Sequence, residues 1–111
     1  MNLIEWIDNN QRTFTDLSDS VWGFAELGYR EVQSSQLLIN TLEAADFTLE
    51  KGVAGIPTAF VASYPKSAGP VIAVLGEFDA LPGLSQECVP YKQSLINGAP
   101  GHGCGHNLLG V

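Results

Sequence analysis

The sequence predicts an α/β fold with a mixed sheet, and three observations support this prediction. Apolar residues recur at helical spacing in the first part of the chain, the pattern then changes to strand-like alternation, and a short β-branched run follows. Helices that precede a hairpin and a buried strand are expected to pack on one sheet. At 111 residues and 45% apolar content, the chain has the size and composition of a single domain.

Two amphipathic helices are predicted first. Over residues 3–25 the apolar side chains are spaced at intervals of three, four and seven, and Gly28 ends the pattern. A second helix is predicted over residues 32–45, with Ser34 and Ser35 near its start. The side chains expected to face the core are Leu3, Ile4, Ile7, Phe14, Leu17, Val21, Trp22, Phe24 and Ala25 in the first helix, and Leu37, Leu38, Leu42 and Ala45 in the second.

Strands are predicted after the helices. Residues 47–51 alternate like a strand, residues 59–64 form a second candidate, and residues 65–70 have the composition of a turn. The continuous apolar run over residues 71–75 is typical of a central strand buried on both faces. Residues 82–103 are rich in Gly, Pro, Ser and Asn, which predicts a long loop with a functional role or without order.

Charge and composition exclude some classes of function. Twelve acidic residues against five basic ones give a net charge of −7, and the basic residues do not cluster. Binding to nucleic acid or to an anionic membrane surface is therefore not expected. The first residues form neither a basic leader nor a long apolar run, which favours the cytoplasm. The low charged content of 15% is typical of a segment that packs against more protein.

Two carboxylates follow the predicted central strand. Side chains at positions i and i+2 of an extended chain point the same way, so Glu77 and Asp79 are expected on one side. Ligands gather at the carboxyl ends of strands in open α/β sheets. Two close carboxylates repel each other unless a cation or a proton lies between them. The alternative is a solvated strand end with an ordinary turn at Pro82.

A second candidate site lies in a glycine-rich loop that contains His102, Cys104 and His106. Glycines between the three residues allow tight turns, so that Cys104 and His106 can reach one metal ion. Thiolate and imidazole suit zinc or another borderline transition metal. His102 is either a third ligand or a residue that orients the site by hydrogen bonding. One such loop does not complete a metal site, so further ligands from elsewhere are expected.

Two cysteines leave a redox role open. Cys88 and Cys104 are sixteen positions apart and do not form a Cys-x-x-Cys motif. In a cytosolic chain such cysteines are more often free thiols or metal ligands than a disulfide.

Three segments occur in an order that resembles a known family. They are Glu26-Leu27-Gly28, Asp79-Ala80-Leu81-Pro82 and His102-Gly103-Cys104-Gly105-His106-Asn107. Together they resemble the aminoacylase–carboxypeptidase G family of metallopeptidases, in the branch of the indole-acetyl-amino-acid hydrolases and p-aminobenzoyl-glutamate hydrolases. The resemblance covers essentially the whole chain, and the joint occurrence of the segments is far more specific than any one of them.

The resemblance implies a fold and a metal site. The chain, residues 1–111, would be the amino-terminal part of an α/β/α aminopeptidase-like catalytic domain that lacks the lid domain and the carboxy-terminal half. Family members hold two divalent metal ions, usually zinc or manganese. The motifs carry metal ligation onto Cys104 and His106, and a catalytic orienting role onto Asp79. Glu77 stands where other branches have a ligating histidine, so no metal role is assigned to it.

The implied activity is metal-assisted hydrolysis of amide bonds. N-acyl amino acids, p-aminobenzoyl-glutamate and dipeptides are all compatible substrates. In the family a glutamate general base and the remaining ligands lie outside the matching segment, so the isolated chain is expected to be inactive. The alternative is a non-catalytic interaction module or subunit that keeps this half-domain and associates with itself or with a complementing carboxy-terminal part.

Overall fold

The computed structural model describes residues 1–65 and 68–111. Their elements are α1 (Leu3–Phe24), α2 (Val32–Ala44), β1 (Thr48–Lys51), a 3-10 helix (Val53–Gly55), β2 (Phe60–Ser63) and α3 (His106–Leu109). Helices combined with one small sheet are compatible with the predicted α/β class, but in the described residues the sheet has two antiparallel strands and is not mixed. Within these residues, no helix combines the length and the apolar character that crossing a membrane requires.

Helix α1 begins and ends close to its predicted bounds. Asn2 forms a capping box with Glu5: its side chain accepts a hydrogen bond from the Glu5 amide, and the Glu5 carboxylate accepts one from the Asn2 amide. The helix ends at Ala25, which has a left-handed backbone conformation with φ 45°. That conformation is the usual way for a helix to stop, although glycine normally occupies it.

Only the carboxy-terminal part of α1 lies in the core. Val21 is fully buried, whereas Leu3, Ile4, Ile7 and Trp22 are exposed. The prediction that these four residues face the core is therefore wrong. The reason is that α2 and α3 pack on α1, and its buried residues, Ser18 and Val21, both lie beyond its midpoint.

The amino-terminal end of helix α2 is capped by the side chain of Glu26, which precedes the helix in the sequence. The Glu26 carboxylate accepts hydrogen bonds from the backbone amides of Gln33 and Ser34, at 3.0 and 2.7 Å. A carboxylate at this end is also favoured by the helix dipole. Leu38 and Ile39 form the buried face of the helix, whereas Ala45, predicted to be inward, is exposed just beyond the helix end.

The predicted hairpin is confirmed. Strands β1 and β2 pair in an antiparallel register that runs from Thr48 opposite Ser63 to Lys51 opposite Phe60. In the connection between the two strands, the backbone carbonyl of Thr58 accepts a hydrogen bond from the Ser35 hydroxyl at 2.9 Å, which joins α2 to the hairpin. The turn predicted over residues 65–70 includes Lys66 and Ser67, which lie outside the described residues.

The predicted central strand over residues 71–75 is not formed. Val71, Ile72, Val74 and Leu75 are between 83% and 93% exposed, and no strand is assigned there. A strand obtains its hydrogen bonds from neighbouring strands, and in the described part of the chain none pairs with this run. The amino-acid pattern is that of a buried strand, but the described residues supply nothing to bury it.

The predicted loop over residues 82–103 is confirmed, since it contains no helix or strand. Gln86 organises its middle: the side-chain amide donates to the carbonyl of Tyr91 at 2.8 Å and accepts from the amide of Gln93 at 3.1 Å. A side chain thus replaces the backbone pairing that the loop lacks.

Candidate metal centre

Two isolated backbone bridges bring the three sequence motifs together. Leu27 pairs with Ala80 in a parallel bridge, and the Ala80 amide donates to the carbonyl of Glu26 at 2.7 Å. Leu81 pairs with Gly101 in an antiparallel bridge with both hydrogen bonds at 3.0 Å. Because residue 80 contacts the first motif and residue 81 contacts the loop, Asp79 is held beside the histidine-containing segment.

Gly101 is required by this close approach. A Cβ atom at this position would lie 2.0 Å from the carbonyl oxygen of Leu84, which is far inside van der Waals contact. A glycine is therefore the residue that allows the strand-like bridge and the loop to pack backbone against backbone.

His106 lies between two carboxylates. Its Nδ1 is 2.7 Å from Oδ1 of Asp79, and its Nε2 is 3.1 Å from Oε2 of Glu77. One potential ligand atom from each of the three residues lies within 4.8 Å of the others. The His106 side chain is 16% exposed, so the imidazole is nearly enclosed while one side remains open to solvent. Imidazole nitrogen and carboxylate oxygen are donors that zinc and manganese accept in proteins.

The position of His106 is set by the short helix α3, of which it is the first residue. Gly105, directly before it, has φ 85°, a conformation that glycine adopts without strain. Next along the helix, the buried amide of Asn107 donates to the hydroxyl of Ser18 in α1 at 3.0 Å. The motif asparagine thus anchors the helix that presents His106.

His102 has a structural position. Its Nε2 donates to the carbonyl oxygen of Val21 at 3.1 Å, and its Nδ1 is buried without a partner among the described residues. Burial lowers the pKa of His102 below its ordinary value of 6.5, and the nearby His106 lowers it further, although the bond to Val21 and the charge of Asp79 act in the opposite direction. The ring is not part of the three-residue cluster.

Cys104 is exposed and is not a member of the three-residue cluster. Its predicted role as a metal ligand stays a prediction. Cys88 is also an exposed free thiol, so the two cysteines do not form a disulfide here.

The sequence motifs assign no metal role to Glu77. Its position two residues before Asp79 nevertheless predicted that the two carboxylates lie on one side of the chain. Beside the cluster lies an open depression of about 350 Å³ that Glu77 and Asp79 help to line. Its other walls include Tyr29, Glu31 and Phe78.

Comparison with known proteins identifies relatives over nearly the whole chain. The chain is 45% identical to a subunit of the p-aminobenzoyl-glutamate hydrolase of Escherichia coli, over 95% of its own length and 22% of that protein. It is 32% identical to thermostable carboxypeptidase 1 of Saccharolobus solfataricus, over 96% of the chain and 28% of the relative. It is 35% identical to the Xaa-Arg dipeptidase of Mus musculus, over 95% of the chain and 23% of the relative. No family model matches the sequence.

Glu77, Asp79 and His106 offer one ligand atom each within 4.8 Å of one another, which makes them a candidate group for a divalent metal ion. These relatives confirm that the sequence of this chain resembles the aminoacylase–carboxypeptidase G family of metallopeptidases. The chain spans about a quarter of the length of these curated relatives, which are hydrolases and peptidases by name.

Proposed function

We propose that this chain carries one part of a metal-dependent centre that hydrolyses amide bonds. The observation that supports the proposal best is the placement of His106 against Asp79 at 2.7 Å, at the edge of an open depression. A carboxylate on one ring nitrogen of a histidine is the usual partner of a histidine that binds metal through the other.

In this proposal each residue has a distinct task. Asp79 accepts the hydrogen of Nδ1, which fixes the tautomer of His106 and leaves the lone pair on Nε2 for the ion. Cys104, separated from His106 by one glycine, is the second proposed ligand from this loop. By resemblance to the family, the complete centre would hold two divalent ions, zinc or manganese.

A divalent ion held by His106 and Cys104 would polarise the amide carbonyl and would lower the pKa of a coordinated water molecule towards neutrality. The chain's own residues orient the imidazole and shape the depression beside it. A glutamate general base is not assigned to any residue of this chain. The rest of the centre comes from the part of the relatives that this chain does not match, and the chain alone is inactive in this proposal.

The names of the relatives suggest the substrate class. One relative is named for p-aminobenzoyl-glutamate and another for dipeptides that end in arginine. We extend this to amide bonds of N-acyl amino acids, p-aminobenzoyl-glutamate or dipeptides. We further propose that the chain forms part of an α/β/α aminopeptidase-like domain, and that it acts in the cytoplasm.

A complementation assay tests this proposal. The chain, supplied with Mn²⁺ or Zn²⁺, is assayed with p-aminobenzoyl-glutamate alone and after mixing with the Escherichia coli relative from which the matching 106 residues have been removed. We expect turnover only in the mixture, and no turnover when the chain carries His106→Ala. Robust hydrolysis by the chain alone would reject the proposed division of the centre.

The exposed apolar run over residues 71–75 supports a second candidate function, that of a non-catalytic interaction module. Val74 and Leu75 are more than 90% exposed, which is unusual for two large apolar residues that are adjacent in the sequence. Size-exclusion chromatography with light scattering tests this candidate, because a chain that stays monomeric at high concentration counts against it.

A further inference from the structure

Glu77 makes a contact for which neither the sequence motifs nor the proposed function account. Its Oε2 faces Nε2 of His106 at 3.1 Å, on the ring edge opposite Asp79. We infer that Glu77 and His106 bind the same divalent ion, with Glu77 as a direct carboxylate ligand. This inference rests on the proposed metal centre and adds a ligand to it.

Oε2 of Glu77 and Nε2 of His106 face each other without a hydrogen between them when the imidazole is neutral and protonated on Nδ1. A carboxylate only accepts hydrogen bonds, and so does the bare nitrogen of a neutral imidazole. In the neutral tautomer that donates its Nδ1 hydrogen to Oδ1 of Asp79, Nε2 presents a lone pair to the Glu77 carboxylate at 3.1 Å. Two acceptors at this distance repel each other unless a positive charge lies between them.

The distance between the two atoms fits coordination of one ion. Ligand atoms that lie about 2.1 Å from a common ion are about 3.0 Å apart at an octahedral angle and about 3.4 Å apart at a tetrahedral angle. The observed 3.1 Å between Oε2 and Nε2 falls within this range. The separation of these two atoms is therefore compatible with their binding one ion as neighbouring ligands, with little movement.

The backbone holds Glu77 beside the helix that carries His106. A Cβ atom on Gly110, directly after α3, would lie 2.8 Å from the carbonyl oxygen of Glu77, so this segment packs closely on the helix end. Phe78 stacks on Phe60 with ring centroids 6.1 Å apart, which directs the residue between the two carboxylates towards the hairpin. The Glu77 side chain remains 69% exposed, and an ion from solvent can reach it.

Charge balance favours the same assignment. The carboxylate of Glu77 would offset one of the two positive charges of a divalent ion, while a neutral imidazole adds no charge. Asp79 stays engaged with Nδ1 as the group that positions the ring.

The first test measures zinc affinity of the 111-residue chain by titration calorimetry. Replacement Glu77→Gln keeps the size of the side chain and removes its charge. We expect zinc affinity to fall at least about 10-fold, the lower end of what even supporting residues of metal sites contribute. The matched control is Glu50→Gln, an exposed glutamate in β1, for which unchanged affinity is expected. Far-ultraviolet circular dichroism checks that the variants fold.

The second test is spectroscopic and does not depend on affinity. With Co²⁺ in place of zinc, Glu77→Cys should add a sulfur-to-cobalt charge-transfer absorption to the spectrum of the parent chain, because a thiolate then occupies the ligand position. Glu50→Cys should add none. This variant also decides the question if Glu77→Gln does not fold.

The outcomes distinguish a failure of the Glu77 assignment from a failure of the proposed metal centre. Zinc bound equally by the parent chain and Glu77→Gln, with no added absorption in Glu77→Cys, overturns the role of Glu77 and leaves the proposed metal centre standing. A parent chain that binds neither ion overturns both, and a proton then bridges Glu77 and His106.

Discussion

A single imidazole, that of His106, connects the sequence motifs to the proposed chemistry. Asp79 holds one ring nitrogen at 2.7 Å, and Glu77 faces the other at 3.1 Å. The meeting of Asp79 and His106 was predictable, because the motifs that carry them predicted a shared site. The contact of Glu77 was not, because the spacing places its carboxylate on the side of Asp79 but does not show which group it meets.

Removal of the Asp79 carboxylate tests its positioning role. We expect Asp79→Ala to weaken zinc binding about 10- to 100-fold, since the ring of His106 loses the acceptor that fixes its orientation and tautomer. Titration calorimetry measures the change. Asp8→Ala, at an exposed position of α1, removes the same charge and should leave affinity unchanged. Equal affinities for both variants would contradict the assigned role.

His102 predicts a pH dependence of stability. Burial lowers its pKa in the folded chain below 6.5, with His106 acting in the same direction and with Asp79 and the bond to Val21 opposing. Below pH 6.5 the unfolded chain therefore binds more protons at this residue than the folded chain, so its contribution to stability is present at higher pH and is lost as pH falls.

Urea unfolding of the parent chain and of His102→Gln, in the presence of a chelator, measures this contribution. The free energy of unfolding of the parent chain should fall more steeply between about pH 8 and pH 5 than that of the variant. If the unfolding free energies of the two proteins fall in parallel with pH, the protonation of His102 does not cause the pH dependence of stability.

At the scale of elements, the sequence pattern correctly predicted the first two helices and the hairpin, whose hydrogen bonds join residues that are near in sequence. The spacing of apolar residues identified α1, α2 and the hairpin, because each obtains its hydrogen bonds from residues near in sequence. The strand predicted over residues 71–75 depends on partners distant in sequence, and the described residues do not provide them. The exposed first turns of α1 have the same explanation: periodicity marks a face, but does not show what covers it.

The backbone bridge at Gly101 predicts a strong effect of a small substitution. Gly101→Ala would place Cβ 2.0 Å from the Leu84 carbonyl oxygen, so the two bonds to Leu81 must open. At about 1 kcal/mol for each bond, we expect a loss of about 2 kcal/mol in the free energy of unfolding.

The matched substitution is Gly23→Ala in α1, where nothing lies within 4 Å of the new Cβ atom. Alanine should stabilise this helix by up to about 1 kcal/mol. Urea denaturation of both variants measures the two changes, and a stable Gly101→Ala chain would show that the bridge is dispensable.

At the scale of the whole molecule, the chain combines a net charge of −7 with an uncovered apolar run. The charge favours solubility, whereas four large exposed apolar side chains at residues 71–75 favour association through an apolar surface.

Self-association follows from this surface. We expect the chain to form concentration-dependent oligomers, and Val74→Lys to shift it to a monomer by placing a charge in the middle of the run. Light scattering after size-exclusion chromatography measures the mass. Thr48→Lys, an equal change of charge at an exposed position of β1, should leave the association unchanged. A parent chain that is monomeric at every concentration contradicts this use of the run.

The most direct test of the account is X-ray absorption spectroscopy of the zinc-loaded chain, because it reports the atoms around the ion. We expect imidazole scattering from His106 at about 2.0 Å together with one sulfur, from Cys104, at about 2.3 Å. A spectrum with oxygen neighbours alone, unchanged by His106→Ala, would contradict the claim that this loop and the carboxylate of Asp79 form part of a metal centre.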